Sequence, residues 1–491
     1  MSRVLRSPAL WIAALALVLA LGFLGSRGIW DPDEGRYTNV ALNMLDSGDW
    51  LNPRRNHEVG HWTKPPLTYW AIASSVSVFG KNPWAARLPA ALAYLLSIWL
   101  AWRVARRLAP GAQAQAAVIY ATMLFTLGAS QLITTDYILA ACLGVAMSAF
   151  VEARFGSVHR RRWMVLMWVG FALAFLTKGP PALLPLLVVL LFDQCMPGRR
   201  GHRALQLWGL GVFVLLALPW YIAVIHGNPG LFEYFIGDEV INRVTTNEFG
   251  RHGEWYGWLQ VYAPTLLLGT LPWTPALLRW TRGLPAQAKS WWRNPEQRTI
   301  EAPWVLLALW VLLPLLVFCV ARSRLPLYLL PLFLPLAVIA ARQRQQQGRG
   351  LPRWPWLLLW AVVLLGLKFA SAHWPTHKNA AVWAAQIRER APDVGEVVFV
   401  EDMARYGLRL HLDVEVEKIS LEPVGAMRFN PTFDEDLATE LAESYAEPGA
   451  IWVCKQETWA LVQQRIAQHG FQTAQLGAPY EGRIIFRVRP R

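Results

Sequence analysis

The feature that most constrains this chain is the grouping of its apolar residues into blocks of about 20, which is the length a helix needs to cross a bilayer. Hydrophobic residues make up 54% of the 491 residues. Runs such as 8–24 and 204–224 are apolar almost throughout, and a helix that is apolar on every side lies in a protein core or in lipid. The sequence therefore predicts a polytopic membrane protein.

The apolar blocks predict an all-α membrane domain with about 11–13 transmembrane helices, counted at about 20 residues per span. Short hairpins between blocks, such as the one at 177–182, leave the exact number open. The predicted spans lie near residues 8–27, 84–107, 113–131, 134–153, 162–177, 180–196, 204–225, 257–280, 302–320, 325–341 and 354–373.

The positions of lysine and arginine predict the orientation, because positive residues are retained on the cytoplasmic side of a membrane. If the N-terminus is cytoplasmic, the basic loops all fall on that side. They are the loops 103–107, 159–162, 199–203, 279–298 and 342–353. Much of the net charge of +14 is explained by this topology, so the basic balance does not indicate a nucleic-acid partner.

The opposite face receives the long loop 28–82, which contains helical structure of its own. Asp31 is a good N-cap, Pro32 suits the first helical position, and Glu34 then completes a capping box. Apolar residues follow at helical spacing, and Gly48 can close the helix. We therefore predict an amphipathic helix that lies on the membrane face.

The C-terminal residues are more polar and predict a small α/β domain on the non-cytoplasmic side. Domain boundaries are thus predicted at 1–375 for the membrane domain and 376–491 for the tail. The predicted strands are 396–400, 408–416, 450–454 and 483–488, and the predicted helices are 434–445 and 458–469. The tail has no glycine-rich phosphate loop, so a nucleotide-binding role has no support.

The predicted topology collects cations and carboxylates on one face of the membrane. Cations can hold a phosphate, and a carboxylate can orient or deprotonate a hydroxyl, so the mixture suits transfer of a group from a lipid-linked phosphate. The collected residues are Asp31, Asp33, Glu34, Arg36, Lys64, Asp136, Lys178, Asp238, Glu239, Arg243 and Tyr328.

Several of these residues also have structural explanations. Asp31 and Glu34 can simply begin a helix, and Asp136 can cap one after two threonines. Lys178 can extend its ammonium group from an apolar block towards water, and Arg243 can be a solvated charge. Asp33 has the weakest structural explanation, since its position gives only a favourable helix-dipole interaction.

Six ordered motifs resemble the bacterial aminoarabinose transferase and protein mannosyltransferase superfamily of polyprenyl-phosphate-sugar glycosyltransferases. The resemblance extends from the first span to about residue 340. It implies a GT-C fold, with a periplasmic active site in the bacterial inner membrane and a soluble periplasmic domain. The motifs are Asp33-Glu34-Gly35-Arg36-Tyr37, Asp46-Ser47-Gly48-Asp49-Trp50, Lys64-Pro65-Pro66-Leu67, Thr135-Asp136, 176–180 and 324–331.

The resemblance also implies roles for individual residues. Asp33 would be the principal catalytic carboxylate and Asp136 an assisting one, with Glu34 as a further catalytic candidate. The residues around the lipid phosphate and sugar would be Arg36, Lys64, Lys178, Arg243 and Tyr328. The implied partners are a polyprenyl-phosphate-linked sugar, an acceptor that is a lipid, a glycan or a protein, and the surrounding membrane lipids.

This sequence departs from the aminoarabinose enzymes at the residues implicated in metal binding. There a glutamate precedes the lysine of the Lys-Pro-Pro motif and is paired with a histidine in a later loop. Here Thr63 precedes Lys64, and the stretch 238–243 contains no histidine. The identity and existence of a metal are therefore left open, and no cofactor is assigned.

Two other classes of protein are compatible with many membrane spans. A transporter or lipid flippase would carry ionisable residues near the bilayer centre and often internal repeats, whereas here they gather at one face. A non-catalytic scaffold would explain the tail but not the carboxylates and cations. We therefore predict a glycosyltransferase that acts by direct displacement with inversion.

Overall fold

The computed structural model describes residues 8–156, 158–196, 205–237, 252–425, 429–446 and 449–491. In this part of the chain most residues are helical, and the strands all lie near the C-terminus. The chain divides into two compact units, each of which packs mainly within itself. The helical unit comprises Met1–Gly22 and Pro89–Lys368, and the mixed unit comprises Phe23–Leu88 and Phe369–Arg491. The mixed unit therefore combines the predicted loop 28–82 with the C-terminal residues, while the predicted division near 375 stays a prediction.

Boundaries between the units fall inside two long helices, Pro83–Leu108 and Trp354–His373. The helices up to residue 236 are α1 (Pro8–Leu21), α2 (Asp33–Ser47), α3 (Leu67–Phe79), α4 (Pro83–Leu108), α5 (Gln113–Thr122), α6 (Leu124–Ala129), α7 (Thr135–Phe155), α8 (Arg160–Lys178), α9 (Leu184–Cys195), α10 (Leu207–Gly227) and α11 (Leu231–Ile236).

The remaining helices follow the segment 238–251, about which the structure gives no description. They are α12 (Gly257–Gly269), α13 (Thr274–Arg293), α14 (Pro295–Ile300), α15 (Ala302–Val320), α16 (Phe333–Gln346), α17 (Trp354–His373), α18 (Ala380–Arg390), α19 (Leu408–Leu412), α20 (Leu437–Ala446) and α21 (Trp459–Gln468). Short 3₁₀ segments occupy Pro180–Leu183, Pro326–Leu332 and Gln456–Thr458.

Six helical segments among the described residues are long and apolar enough to cross a membrane. Each coincides with a predicted span, and together they support the predicted membrane domain. Several other predicted spans are represented by shorter apolar helices, such as α1 and the segment Pro180–Cys195. The six are α4, α7, α10, α15, Pro326–Gln346 and α17.

Two predicted spans are interrupted. The predicted span 113–131 is divided into α5 and α6 at Met123, whose backbone is extended. The predicted span 257–280 ends as α12 at Gly269, and α13 begins at Thr274. Pro272 lies in the break, where its ring removes the N–H that a continuous helix would need.

The amphipathic helix predicted in the loop 28–82 is present as α2, but the predicted cap is wrong. The helix begins at Asp33, and Pro32 at the preceding position provides no side-chain hydrogen bond. The Asp31 carboxylate instead accepts a hydrogen bond of 2.9 Å from the Gly407 N–H. The predicted end is confirmed, because Gly48 follows α2 with a left-handed φ of 71°.

The tail forms the predicted α/β structure around a six-stranded sheet with the order β3-β2-β1-β4-β6-β5. Pairings among the first four positions are parallel, whereas β6 is antiparallel to both β4 and β5. The strands are β1 (Glu396–Val400), β2 (Glu415–Ser420), β3 (Glu435–Asp436), β4 (Ala450–Lys455), β5 (Phe471–Gln475) and β6 (Arg483–Pro490).

Helices cover both faces of this sheet. Alternate residues of β1 point to opposite faces, so Phe399 packs with Ile387 of α18, whereas Val398 packs with the α20 and α21 side chains. The strand predicted at 408–416 is wrong in its first part, where the chain forms the helix α19. Asp413 ends that helix in the left-handed conformation, at φ 58°, and β2 follows.

Candidate active site

The helical unit brings three of the predicted site residues together. Asp136 lies in the first turn of α7, where the Thr134 hydroxyl accepts the Asp136 N–H and caps the helix. Lys178 is the last residue of α8, which packs along α7. The Lys178 ammonium donates to the Asp136 carboxylate, and its nitrogen lies 4.5 Å from the centre of the Tyr328 ring.

This carboxylate, ammonium and phenol group is largely enclosed. The side chains of Asp136 and Lys178 are 11% and 14% exposed, so their charges interact through a medium less polar than bulk water. An enclosed ammonium beside an aromatic face can hold an anion while the carboxylate and the ring keep it in position. The arrangement is therefore suited to binding a phosphate group.

A second group of predicted residues lies in the mixed unit, on the first turn of α2. The Arg36 guanidinium donates to the Asp33 carboxylate at 2.5 Å, as side chains three residues apart on a helix can. The Asp33 side chain is 68% exposed. Its second oxygen can therefore meet a ligand, while Arg36 orients the first.

Glu34, the next residue, has a different environment and is buried. Its oxygens accept hydrogen bonds of 2.6 and 2.8 Å from Arg27 and of 2.9 and 3.2 Å from Arg87. It also accepts the Trp30 N–H. Burial alone would raise the pKa of Glu34, but the charges and hydrogen bonds of Arg87 and Arg27 lower it to about 2. Glu34 is thus a permanently ionised link between two buried arginines.

The residues around Lys64 include the position that the metal-binding glutamate occupies in the aminoarabinose enzymes. Thr63, in the position of their glutamate, shares a hydrogen bond of 2.9 Å with His61 Nε2, and the Lys64 ammonium donates to the Thr63 carbonyl. The Thr63 hydroxyl therefore replaces the carboxylate that would bind the metal, and this position does not fit the metal site of those enzymes. The position that corresponds to the metal-binding histidine would lie in the stretch 238–243, outside the described residues.

His61 is a residue that the sequence reasoning missed. Its ring is buried, and burial together with the charges of Arg36, Arg55 and Lys64 holds its pKa well below the usual range. The ring packs edge-on against Tyr69. His61 is therefore neutral and surrounded by cations, and its position three residues before Lys64 is the signal that could have identified it.

Buried polar contacts join the loop 28–82 to the tail within the mixed unit. Arg55 donates to the Asp434 carboxylate at 2.5 Å, and the Asn56 side chain donates to Glu417 at 2.8 Å. The Asp31 N–H donates to the Lys378 carbonyl. These partners are separated by more than 300 residues, and no local pattern in the sequence indicates them.

One group of carboxylates in the described residues could hold a metal ion by its geometry. Glu396, Glu417 and Glu440 each place an oxygen within 4.8 Å of the others. Burial, with the charge of Glu396, raises the pKa of Glu417 to about 9, and burial raises that of Glu440. The group therefore retains protons at neutral pH, which explains how these carboxyl groups lie together.

Arg243, together with Asp238 and Glu239, lies outside the described residues. Of the other predicted site residues, Asp136, Lys178 and Tyr328 lie in the helical unit, and Asp31, Asp33, Glu34, Arg36 and Lys64 lie in the mixed unit. The fold defines a polytopic membrane protein with a C-terminal sheet domain.

The sequence comparisons confirm the resemblance on which the site prediction rests. Residues 63–222 match the family of dolichyl-phosphate-mannose-protein mannosyltransferases. The chain is 32% identical over 372 residues to an undecaprenyl phosphate-α-4-amino-4-deoxy-L-arabinose arabinosyl transferase of Pseudomonas fluorescens. That match covers 72% of this chain and 64% of the relative, so the remainder of the relative's length lies outside the match.

Solved structures confirm the fold. ArnT from Cupriavidus metallidurans, bound to undecaprenyl phosphate, superposes with a TM-score of 0.75 at 21% identity and covers 97% of each chain. An oligosaccharyltransferase of Archaeoglobus fulgidus gives a TM-score of 0.54 at 14% identity, covering 98% of this chain and 73% of that one. The predicted GT-C fold class is therefore confirmed.

Proposed function

We propose that this chain is a glycosyltransferase of the bacterial inner membrane, which transfers a monosaccharide from a polyprenyl phosphate to an acceptor at the periplasmic face. The proposal is supported by the relatives named as undecaprenyl-phosphate arabinosyl transferases and by the fold shared with ArnT bound to undecaprenyl phosphate. The acceptor would be a lipid, a glycan or a protein that presents a hydroxyl or a phosphate.

The observation that carries the proposal is the enclosed group of Asp136, Lys178 and Tyr328. These side chains come from separate helical segments, and the Lys178 ammonium is oriented by both the carboxylate and the ring. A membrane protein bears the cost of such charges at the ends of spans chiefly where function requires them. A lipid-linked phosphate is the anion that a site at this position would meet.

The proposed reaction is a direct displacement at the anomeric carbon. An acceptor oxygen forms the new bond to that carbon on one side, while the bond to the phosphate oxygen breaks on the other and leaves both electrons on the phosphate. Lys178, Lys64 and Arg243 would neutralise the departing phosphate. Asp33, oriented by Arg36, would accept the proton when the acceptor is a hydroxyl, and inversion at the anomeric carbon follows.

Glu34 has a different role in this proposal from the catalytic one first predicted. Its carboxylate is buried and accepts hydrogen bonds from Arg27 and Arg87. A substrate hydroxyl could reach the carboxylate only by displacing one of these arginines. We assign Glu34 to holding the start of α2, which presents Asp33 and Arg36. Asp136 would assist by keeping the Lys178 ammonium in place.

The proposed orientation places the N-terminus in the cytoplasm and the C-terminal domain in the periplasm. It is supported by the two ends of α7, where Asp136 lies at one end and arginines gather around Glu152 at the other. A cysteine introduced at the exposed Arg489 should react with an impermeant maleimide added to intact spheroplasts. Reaction only after lysis would contradict the orientation.

The activity is tested by incubating the purified protein with labelled polyprenyl-phosphate sugars and a cell-envelope extract. We expect a labelled product, and Asp33→Asn should lower its rate of formation by about 100-fold or more, the usual contribution of a positioned base. Product formation that survives both Asp33→Asn and Asp136→Asn unimpaired would contradict the proposed roles.

The chain supplies a closely matched control for Asp33. Asp393 is also 68% exposed and also accepts a 2.5 Å contact from an arginine, Arg487. Asp393→Asn therefore removes the same charge from the same kind of ion pair. It should leave transfer unchanged, so that a loss in Asp33→Asn alone reports on the site rather than on a lost surface charge.

A further inference from the structure

The end of α7 opposite to Asp136 carries a group of charges that the transfer reaction does not use. Glu152, in the last turns of α7, is 2% exposed. Its carboxylate accepts contacts of 2.7 Å from Arg103, 3.4 Å from Arg106 and 2.7 Å from Arg107, all on the last turns of α4. Three guanidinium groups are thus gathered around one buried carboxylate.

The group retains an excess of positive charge, because one carboxylate faces three arginines. In the part of the chain that the structure describes, the side-chain hydrogen bonds of these arginines all go to Glu152. Each guanidinium has five N–H donors, so the exposed side chains of Arg106 and Arg107 keep donors that can reach a further anion. Arg106 has the longest contact, and its side chain is 52% exposed.

Aromatic side chains surround the same group. The Arg103 guanidinium lies 5.0 Å from the Trp99 ring and 4.8 Å from the Trp163 ring, on α4 and α8 respectively. Trp99 is 52% exposed on the surface of the membrane-spanning helix α4. Exposed tryptophan beside arginine is typical of the boundary between lipid tails and head groups, so the excess charge lies at the level of lipid phosphates.

The distance along α7 supports this location. Glu152 follows Asp136 by 16 residues on one continuous helix, which is about 24 Å at 1.5 Å per residue. That separation is close to the hydrocarbon thickness of a bilayer, about 30 Å. The two charged groups of the helical unit therefore belong to opposite leaflets, and a lipid bound at Glu152 is distinct from one bound at Asp136.

From this geometry we propose that Arg103, Arg106 and Arg107, held by Glu152, form a binding site for the phosphodiester of an anionic phospholipid. The buried Glu152 carboxylate offsets the repulsion among the three arginines. Their N–H donors that point away from Glu152 can then bind the lipid phosphate. Trp99 supplies an apolar surface for the first carbons of the acyl chains. The site lies in the leaflet opposite to the proposed sugar transfer, and it does not depend on that function.

The test measures lipid binding to the purified full chain by native mass spectrometry. Phosphatidylglycerol and phosphatidylethanolamine with identical acyl chains are added separately at increasing concentrations. We expect tighter binding of phosphatidylglycerol, and Arg106→Gln should weaken it about fivefold, the effect of about 1 kcal/mol per basic residue. Arg106 is chosen because its contact with Glu152 is the weakest, so the fold should survive its loss.

Matched variants make the outcome decisive. Arg489→Gln removes an exposed arginine from β6 and should leave both affinities unchanged. Arg106→Gln combined with Arg107→Gln should abolish the preference for phosphatidylglycerol. Equal binding of the two lipids by the parent chain, or an unchanged preference in the double variant, would overturn the proposal.

A free anion is distinguished from a lipid head group in the same experiment. Inorganic phosphate added at the concentration of the lipid should not displace phosphatidylglycerol, because it lacks the chains that contact Trp99. Displacement by inorganic phosphate would overturn the assignment to a lipid. Thermal unfolding of each variant, compared with the parent chain, verifies that the helices remain folded.

Discussion

Replacing Glu34 by glutamine distinguishes a structural from a catalytic role for this carboxylate. The substitution keeps the size of the side chain and one carbonyl acceptor but removes the negative charge that Arg27 and Arg87 share. The two guanidinium groups would then face each other in a buried place, with neither able to reach water freely. We expect a large loss of stability in Glu34→Gln.

The size of the loss can be worked out in two ways. Lowering the pKa of Glu34 from 4.5 to about 2 is equivalent to about 3 kcal/mol at neutral pH, since each pKa unit is about 1.4 kcal/mol. Removing one partner of a buried ion pair typically costs about 3–5 kcal/mol. The two values agree, and for a unit of this size a loss of about 3–5 kcal/mol corresponds to a fall in Tm of about 6–20 °C.

The stabilisation by Glu34 also has a definite pH dependence. Because its pKa is lowered in the folded chain, the contribution is complete above the unfolded value of 4.5 and is lost as the pH falls through about 2. The difference in Tm between parent and Glu34→Gln should therefore be larger at pH 7 than at pH 3.

The assay is thermal unfolding of the purified protein in detergent, followed by tryptophan fluorescence, with Asp33→Asn and Asp393→Asn as variants that should keep the Tm of the parent. The rate of sugar transfer is measured on the same samples below the transition. A Glu34→Gln protein that unfolds like the parent but has lost transfer would refute the structural role. It would restore Glu34 as a catalytic residue.

Three further predictions follow from other sites. Lys178→Met should lower the rate of transfer by about 100-fold, as the loss of one electrostatic donor does elsewhere, and Lys178→Arg should recover part of it in the same assay. Glu417→Gln should raise the Tm relative to the parent, and by more at pH 9 than at pH 5. Because the pKa of Glu417 is raised in the folded chain, the contribution of Glu417 to the stability of the parent declines as the pH rises. A difference in Tm that stays constant over this range would contradict the prediction. Gly48→Ala should lower the stability by about 1 kcal/mol because the φ of residue 48 is 71°, although an added Cβ would meet no neighbour within 4 Å. The control Gly395→Ala adds a Cβ in equally open space at a residue without a positive φ. It should leave the stability unchanged in the same unfolding assay.

Much of the architecture could be predicted because it depends on local patterns. The span α7 follows from an unbroken apolar run, and β1 and β4 follow from short runs of β-branched residues. The ion pair between Asp33 and Arg36 follows from helical spacing alone. The strand predicted at 408–416 failed because a single residue, Asp413, adopts a left-handed conformation that divides the run into a helix and a strand.

The prediction of the site depended more on the family motifs than on the chemistry of the individual residues. Taken singly, Asp136 and Lys178 each had a structural explanation, and the resemblance put them in one site. The contact between them then came from the packing of α7 against α8, which brings the start of one helix to the end of the other.

The roles of Asp31 and Glu34 were decided only by the tertiary structure. Both lie in a stretch that looks like a helix cap, but the Asp31 carboxylate meets the Gly407 N–H and Glu34 meets Arg87. The sequence by itself determined that this is a membrane protein with charges collected at the ends of its spans. Which carboxylate is exposed and which is neutralised depended on arginines and backbone groups distant in the chain, because the free energy of a buried charge is determined by the partners that folding brings to it.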